Sequence, residues 1–480
     1  MTPAIEIAVS NNRDWAQNEF GAVNFGDKRL NKRIIKIAEA FAKQPNASIP
    51  KAMGTWAETK ATYNFFKNDR VDMEPMFESH LKTAIERIAE HKVVLCPQDT
   101  TYLNHTTHPQ TEGLGTIGSS AKNPALGIIL HDTLAFTTDG LALGLVALQT
   151  WTRPLEEFGK SKDCETKPIE EKESCKWLQS YQAVKAIQQQ LPQTLLVSMG
   201  DREADIYELF ALADQEHNSP HLLVRAQFNR CVDHPEKYLW DFIASQEIRG
   251  TYTIEVPAKP GQAKRDAELA IRFAQVTLMR PKNWSTPNMP ESITLWAVLA
   301  EEIHPLKGAE TISWLLLTTI PVHSFEEAIE KVHWYMIRWQ IELFHKVLKS
   351  GCKTEERQLK TVEQLENCLV LDAVVACRIL LLTKLGREVP NLPCSVVFEE
   401  YEWKALYAFV HKTTEPPKQE PSLQEAIRMV AKLGGFLGRK SDGQPGSMTL
   451  WRGLHRLNDI AEAWRVFGPW PTPRPRETYG

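Results

Sequence analysis

No apolar run in this 480-residue chain reaches the roughly 18 residues that a membrane-crossing helix needs. The N-terminus has no basic stretch followed by an apolar one, so neither export nor membrane insertion is expected. The eight cysteines form no C-x-x-C pair and match no His spacing for structural zinc, which predicts free thiols in a reducing cytoplasm. There is no internal repeat. Net charge is scarce as well, at −4 with 24% charged residues, so the chain is no basic coat and any nucleic-acid contact must come from local patches. What is present is an ordinary globular composition, 42% hydrophobic, with length for roughly two to four domains and a large core.

The most informative stretch is Tyr335 to Lys349, free of Gly and Pro, which reads as one helix. At about 100° per residue, Tyr335, Arg338, Glu342 and Lys349 project within roughly 60° of one another. Ile337, Ile341, Phe344 and Leu348 form the apolar stripe, so the polar quartet borders the buried face. Such a stripe can hold a metal through Glu342 while its neighbours grip phosphates. An Arg338–Glu342 ion pair on a solvated face accounts for the same residues at about 0.2–0.5 kcal/mol.

Upstream, residues 13–73 read as helical. Asp27 is placed to cap a helix beginning at Lys28, whose basic residues Lys28, Arg29, Lys32 and Arg33 suit phosphates as well as they suit plain solvent. Trp56 to Phe66 is a second helical stretch. From residue 92 strands take over: Lys92 to Cys96, ending at Pro97; Leu126 to Phe136; and Leu141 to Thr150 after the turn Thr138-Asp139-Gly140. A helix over 174–191, a strand over 194–199, a helix to about Asp214 and a strand over 221–226 indicate a mixed sheet carrying helices. Residues 228–320 alternate like antiparallel strands and read as a β-rich insertion, with a basic turn at Lys259 to Arg265. Residues 324–350 read as one long helix and 367–385 as an apolar one. After a Pro-rich linker, helices at 423–433 and 450–464 flank Gly434-Gly435, and the C-terminus is Pro-rich.

Asp99 and Asp201 each follow an apolar run, and carboxylates at strand ends open into the crevice where α/β sheets bind ligands. A turn residue or helix cap is the alternative for each. Should the two aspartates and Glu342 converge, their mutual repulsion calls for a divalent metal, and oxygen ligands favour Mg²⁺ or Mn²⁺. Two ions about 3.5–4 Å apart suit phosphodiester chemistry.

Several motifs together resemble the bacterial cut-and-paste DNA transposases of the insertion-sequence-four family. They are Gln98-Asp99-Thr100-Thr101, Asp201-Arg202-Glu203-Ala204-Asp205-Ile206, and Tyr335-x2-Arg338-x3-Glu342-x6-Lys349 with Phe344-His345-Lys346 inside it. Asp14-Trp15-Ala16, Phe25-Gly26-Asp27, Ala61-Thr62-Tyr63-Asn64-Phe65, Ala300-Glu301-Glu302-Ile303 and Leu433-Gly434-Gly435-Phe436 extend the likeness over nearly the whole chain. Asn64 stands where relatives often have Arg, and the basic turn is short.

The resemblance implies an RNase H-like α/β catalytic core with a β-strand insertion, flanked by helical domains. The expected division is 1–73 for binding transposon ends, 74–388 for catalysis and 389–480 for dimerisation. It implies Asp99, Asp201 and Glu342 as the catalytic, metal-binding triad, with two Mg²⁺ ions that Mn²⁺ can replace. Tyr335, Arg338, Lys349 and Arg225 would contact DNA, Trp314 would receive a flipped base, and Arg202 would help position the end. The expected partners are double-stranded DNA and a second copy of the chain in a paired-end homodimer. The expected place is the bacterial cytoplasm, on the nucleoid. Cleavage through a hairpin and joining of 3′-OH ends to target DNA follow from the likeness. A related structure-selective nuclease without strand transfer, or a domesticated or inhibitory DNA-binding protein, are the rival readings. The presence of all three carboxylates and Lys349 argues against the last.

Overall fold

The computed structural model describes residues 14–117, 125–154, 169–214, 218–257, 263–281, 289–306, 308, 310–439 and 442–468. The chain forms two compact units, one drawn from residues 1–90, 103–114 and 344–480, the other from residues 91–102 and 115–343. In chain order the elements begin with α1 (Trp15–Phe20), α2 (Lys28–Lys43), α3 (Ile49–Met53), α4 (Trp56–Phe66) and α5 (Met73–Ile88). Then come β1 (Val93–Asn104), β2 (Gly115–Thr116), β3 (Leu126–Thr137), β4 (Ala142–Trp151), α6 (Cys175–Gln190), β5 (Leu195–Gly200), α7 (Tyr207–Asp214), β6 (His221–Arg225) and α8 (Leu239–Ser245). β7 (Gly250–Val256), β8 (Arg265–Met279), β9 (Ser292–Glu302), β10 (Ser313–Thr318), α9 (Phe325–Ile337) and α10 (Trp339–Lys346) follow. The last helices are α11 (Val362–Glu388), α12 (Glu400–His411), α13 (Leu423–Leu433) and α14 (Ser447–Phe467).

The sheet unit is a mixed α/β structure around one 10-stranded sheet, ordered β2-β3-β1-β5-β6-β10-β9-β8-β7, with β4 paired to β3. β1, β5 and β6 run parallel, and the remaining pairs given by the register are antiparallel. Strands β7 to β10 therefore do not stand apart as an insertion with its own sheet. β10 bonds directly to β6, setting Leu316 against Arg225, and prolongs the central sheet. Helices cover both faces. Trp177 and Tyr181 of α6 and Phe210 of α7 pack with Leu222, Val224, Leu315 and Leu317 on one face. Val332, Trp334 and Tyr335 of α9 pack with Leu95, Val197, Met199, Leu223 and Leu316 on the other. These near-continuous apolar strands are what a sheet buried on both sides requires.

Two expectations need correction. β1 does not stop at Pro97. It continues to Asn104, with Pro97 still in register opposite Met199, so Asp99 lies inside a strand. The stretch from residue 324 to 350 is also not one uniform helix. Its hydrogen bonds tighten where Arg338 N–H reaches Tyr335 O and Ile341 N–H reaches Arg338 O, at 3.1 Å each. They then widen to a π-turn over Val347–Gly351, closed by Cys352 N–H to Val347 O at 2.8 Å. A single 100° wheel therefore does not carry Tyr335 through to Lys349. The basic turn at Lys259 to Arg265 falls partly outside the described residues, and its last member, Arg265, opens β8 paired with Glu302.

The helical unit is tied across long sequence distances. Arg357, buried, makes a two-bond pair with Asp372 (Nη2–Oδ1 2.6 Å, Nε–Oδ2 3.0 Å) and donates to the Ala47 and Cys352 carbonyls. The Phe41 ring lies 4.3 Å beneath the guanidinium. Glu19 pairs with Arg87 at 2.7 Å and with His80 at 2.5 Å; burial works against its charge, but the two partners win and hold the carboxyl down at about 2.

The end of β5 shows how tightly the sheet unit is packed. A Cβ on Gly200 would come within 2.2 Å of the Ala204 Cβ and 3.1 Å of the Trp177 ring. Gly200→Ala is therefore expected to cost about 1–3 kcal/mol of stability, because neither neighbour is a flexible side-chain end. Denaturant unfolding checks it, and an unchanged midpoint would show that the Asp201 turn has slack.

Candidate active site

The two aspartates are brought together by register. Parallel pairing sets Val93 against Leu195 and continues in step to Pro97 against Met199. The pairing ends there; Asp99 follows two residues later within β1, and Asp201 is the residue after β5 ends at Gly200. Side chains alternate along a strand, and Leu95, Val197 and Met199 belong to the core beneath α9. Asp99 and Asp201 therefore project to that same face. So does Arg225, two residues past Leu223, and so does Trp314, two before Leu316. Asp99, Arg225 and Trp314 thus stand on β1, β6 and β10, and Asp201 stands just past the end of β5 between the first two.

α9 is launched over this face by a capping box. Ser324 Oγ accepts from Glu327 N–H at 3.2 Å, and the Glu327 carboxylate accepts from Ser324 N–H at 3.3 Å. Its last turn carries Tyr335, whose ring meets Trp314 edge-on at 5.7 Å. Burial raises the Tyr335 phenol above its ordinary value, Asp201 adds to the rise, and Arg338 and a hydrogen bond with Arg225 pull against it. Arg225 also donates to Ser313 O at 2.9 Å.

Arg338 links the helix to the strands. Its guanidinium is 2.9 Å from Glu342 Oε1, 3.9 Å from Asp99 Oδ2 and 5.8 Å from the Tyr335 ring centroid. Burial alone would weaken its hold on the proton, but Tyr335, Asp99 and Glu342 together raise it. The expected i,i+4 ion pair is therefore present, and the same guanidinium reaches a third carboxylate-bearing element. Asp99 Oδ1 accepts from Thr100 N–H and Asp201 Oδ1 from Glu203 N–H, both at 2.8 Å. Asp201 so caps a short helical turn and stands in the cluster as well.

As positioned, no group of three or more His, Cys, Asp or Glu among the described residues is close enough to hold a metal ion. Arg338 supplies positive charge between Asp99 and Glu342. The donor set suits a hard divalent cation in kind, being carboxylates: Asp99 on β1, Asp201 past the end of β5 and Glu342 on α10.

Arg202 lines a cavity of about 1070 Å³ whose walls include Ile206, Phe228 and Arg280. Lys349 lies half-buried on the π-turn, within the helical unit. In that unit Asp27 does cap α2 as expected, accepting from Arg29 N–H at 2.8 Å. The basic face is partly committed to local acids: Arg29 pairs with Asp27 at 2.8 Å and Arg33 pairs with Glu58, while Lys28 and Lys32 are exposed.

Sequence reasoning missed the layer under the aspartates. His131 of β3, buried, meets Gln98 Oε1 at 3.1 Å and Thr100 Oγ1 at 2.9 Å, and Gln98 Nε2 donates to Ser198 Oγ at 2.9 Å. The one available signal was a His inside an otherwise apolar strand.

Two family models match this chain. Residues 12–71 match the transposase DNA-binding model, and residues 374–468 match the transposase Tn5 dimerisation domain. Together they support a transposase of the transposon-five type within the insertion-sequence-four family. A piggyBac transposase synaptic complex with hairpin DNA superposes with a TM-score of 0.36 and 8% identity, over 99% of this chain and 86% of that one. No described helix is long and apolar enough to cross a membrane.

The charge pattern makes one point testable without substrate. Arg338 favours the phenolate of Tyr335, so Arg338→Gln should move that tyrosine's ionisation to still higher pH. Tyrosinate absorbance, with Tyr335→Phe identifying the signal, checks it. An unmoved titration would place Arg338 outside the phenol's field.

Proposed function

We propose that this chain is a cut-and-paste DNA transposase with an RNase H-like core, and that Asp99, Asp201 and Glu342 are its catalytic carboxylates. The observation that carries this reading is that Arg338 joins Glu342 to Asp99 while Asp201, at the end of the neighbouring strand, acts with Arg338 on the Tyr335 phenol. The strand order β4-β3-β1-β5-β6, an antiparallel hairpin leading into a parallel run, supports the fold assignment. The match at 12–71 supports assigning residues 1–73 to end binding, and that at 374–468 supports dimerisation by the C-terminal region, for which 389–480 is the proposed domain, with 74–388 catalytic.

Asp99, Asp201 and Glu342 would hold Mg²⁺, or Mn²⁺ in its place, as a two-ion site. Bound there, the ions would activate a water and stabilise the leaving oxygen of a phosphodiester. The chain's own residues do the rest. Arg338, Arg225 and Tyr335 grip phosphates beside the cleaved bond, with Lys349 and Arg202 further along the end. Trp314 offers a half-buried ring edge for a base turned out of the duplex. The chain nicks to free a 3′-OH, closes and reopens a hairpin, and joins the ends to target DNA. Each step is an in-line displacement at phosphorus, so one site serves them all. A homodimer holds two ends with one self-complementary patch. A nuclease without strand transfer would yield no joined product from end DNA and a supercoiled target.

Asp99→Asn, Asp201→Asn and Glu342→Gln should each abolish Mg²⁺-dependent nicking of end DNA while gel-shift binding survives. Normal nicking by any one of them removes that residue from the site.

End binding should lean on the two uncommitted lysines. Lys28→Ala with Lys32→Ala should flatten the slope of log K against log salt by about 2, one unit for each lost phosphate contact. Arg29→Ala and Arg33→Ala should flatten it less, because Asp27 and Glu58 already hold them. A salt slope left as it was by the double lysine variant would make α2 plain solvated surface.

A further inference from the structure

Gln98 and Thr100 stand on either side of Asp99, and on a strand both project to the face opposite it. There each finds one nitrogen of the same imidazole. His131 Nε2 is 3.1 Å from Gln98 Oε1, and His131 Nδ1 is 2.9 Å from Thr100 Oγ1. Gln98 passes the chain on, its amide nitrogen donating to Ser198 Oγ at 2.9 Å, three residues before Asp201 on β5. The direction is set by chemistry. Gln98 uses its N–H₂ on Ser198 and so presents a carbonyl oxygen to the ring, which demands Nε2–H. Nδ1 is then bare and accepts from the Thr100 hydroxyl. The ring is held sideways as well, edge-on to Trp177 at 4.8 Å. His131, Gln98 and Ser198 are all buried.

We propose that His131 is the positioning residue of the active site: a neutral imidazole that fixes the residues before and after Asp99, and through Gln98 the Asp201 strand, so that the two carboxylates meet at one height. This rests on the proposed role of Asp99 and Asp201. A purely structural ring would not need its nitrogens. Phenylalanine would fill the same place against Trp177 without burying two polar atoms, whereas both nitrogens here are spent on the neighbours of one aspartate.

The test uses the full-length protein. Mn²⁺ binding is followed by the electron paramagnetic resonance of free Mn²⁺ in the absence of DNA, and nicking of end DNA is followed in single turnover across a Mn²⁺ series. His131→Phe should fold and shift end DNA as the wild type does. It should bind Mn²⁺ about 10- to 100-fold more weakly, the range in which outer partners of ligating groups act. Its nicking should recover towards the wild-type rate as Mn²⁺ is raised. His131→Gln, which can still bond Gln98, should recover part of the loss at low Mn²⁺. Where His131→Phe fails to fold, Thr100→Val removes a single hydroxyl from the ring and should shift Mn²⁺ binding the same way by a smaller factor. Wild-type Mn²⁺ affinity and nicking in a folded His131→Phe protein, or in Thr100→Val where that one is used, overturn the proposal. Wild-type protein whose Mn²⁺ binding is unaffected by Asp99→Asn overturns the metal-site reading itself, and the role given to His131 falls with it.

Discussion

The parallel register of β1 and β5 is the constraint on which the rest of the sheet unit depends. It brings Asp99, within β1, and Asp201, just past the end of β5, to neighbouring positions at the face that α9 covers. Two carboxylates held as neighbours repel. Such a face is stable only with positive charge brought to it. Arg338 is delivered where α9 ends and the helical bonding tightens, and it spends its guanidinium on Asp99 and Glu342 together. Losing it would remove the positive charge that Asp99 and Glu342 share.

The opposite face carries the complementary constraint. Where the α9 face gathers charge, the α6 face packs Trp177 and Tyr181 on the sheet and carries the His131 chain. Gly200 has no side chain because Trp177 and Ala204 occupy that space. The sheet beside Asp99 and Asp201 is thus clamped from below, by a packed indole and a short run of satisfied hydrogen bonds, and left polar above. A face held rigid by packing on one side can keep like charges in register on the other.

Much of this was legible in the chain itself. Asp27 as a cap, α4 at Trp56–Phe66 and α13 at Leu423–Leu433 follow from caps and apolar periods, and the structure has them where the pattern puts them. The misreadings have physical causes. Pro97 looked like the end of β1, since proline removes a ladder donor, yet the strand runs through it to Asp99 and beyond. The change of helical pitch at Arg338 has no Gly or Pro to mark it, and the π-turn over Val347–Gly351 has a glycine only at its end. That strands β7 to β10, expected as a β-rich insertion, prolong the central sheet was not readable, because local alternation reports a strand and not the sheet it joins. His131 was invisible for a related reason: its partners at 98, 100 and 198 are adjacent only once β3, β1 and β5 lie side by side.

On the proposed reading the site gathers three carboxylates, with Arg338 paired to those of Asp99 and Glu342. A phosphodiester adds more of the same sign. On that reading Arg338 divides its guanidinium between the carboxylates and a phosphate, since the donor it gives to Glu342 is not available to the substrate. Catalysis at this face therefore requires further positive charge on the carboxylates, and the effect of supplying it is to free Arg338. The residue that holds the face together in the absence of DNA and the residue that meets the DNA are then the same side chain in two engagements. That makes Arg338, more than any of the three acids, the group whose replacement should alter both the stability of the empty site and its hold on substrate.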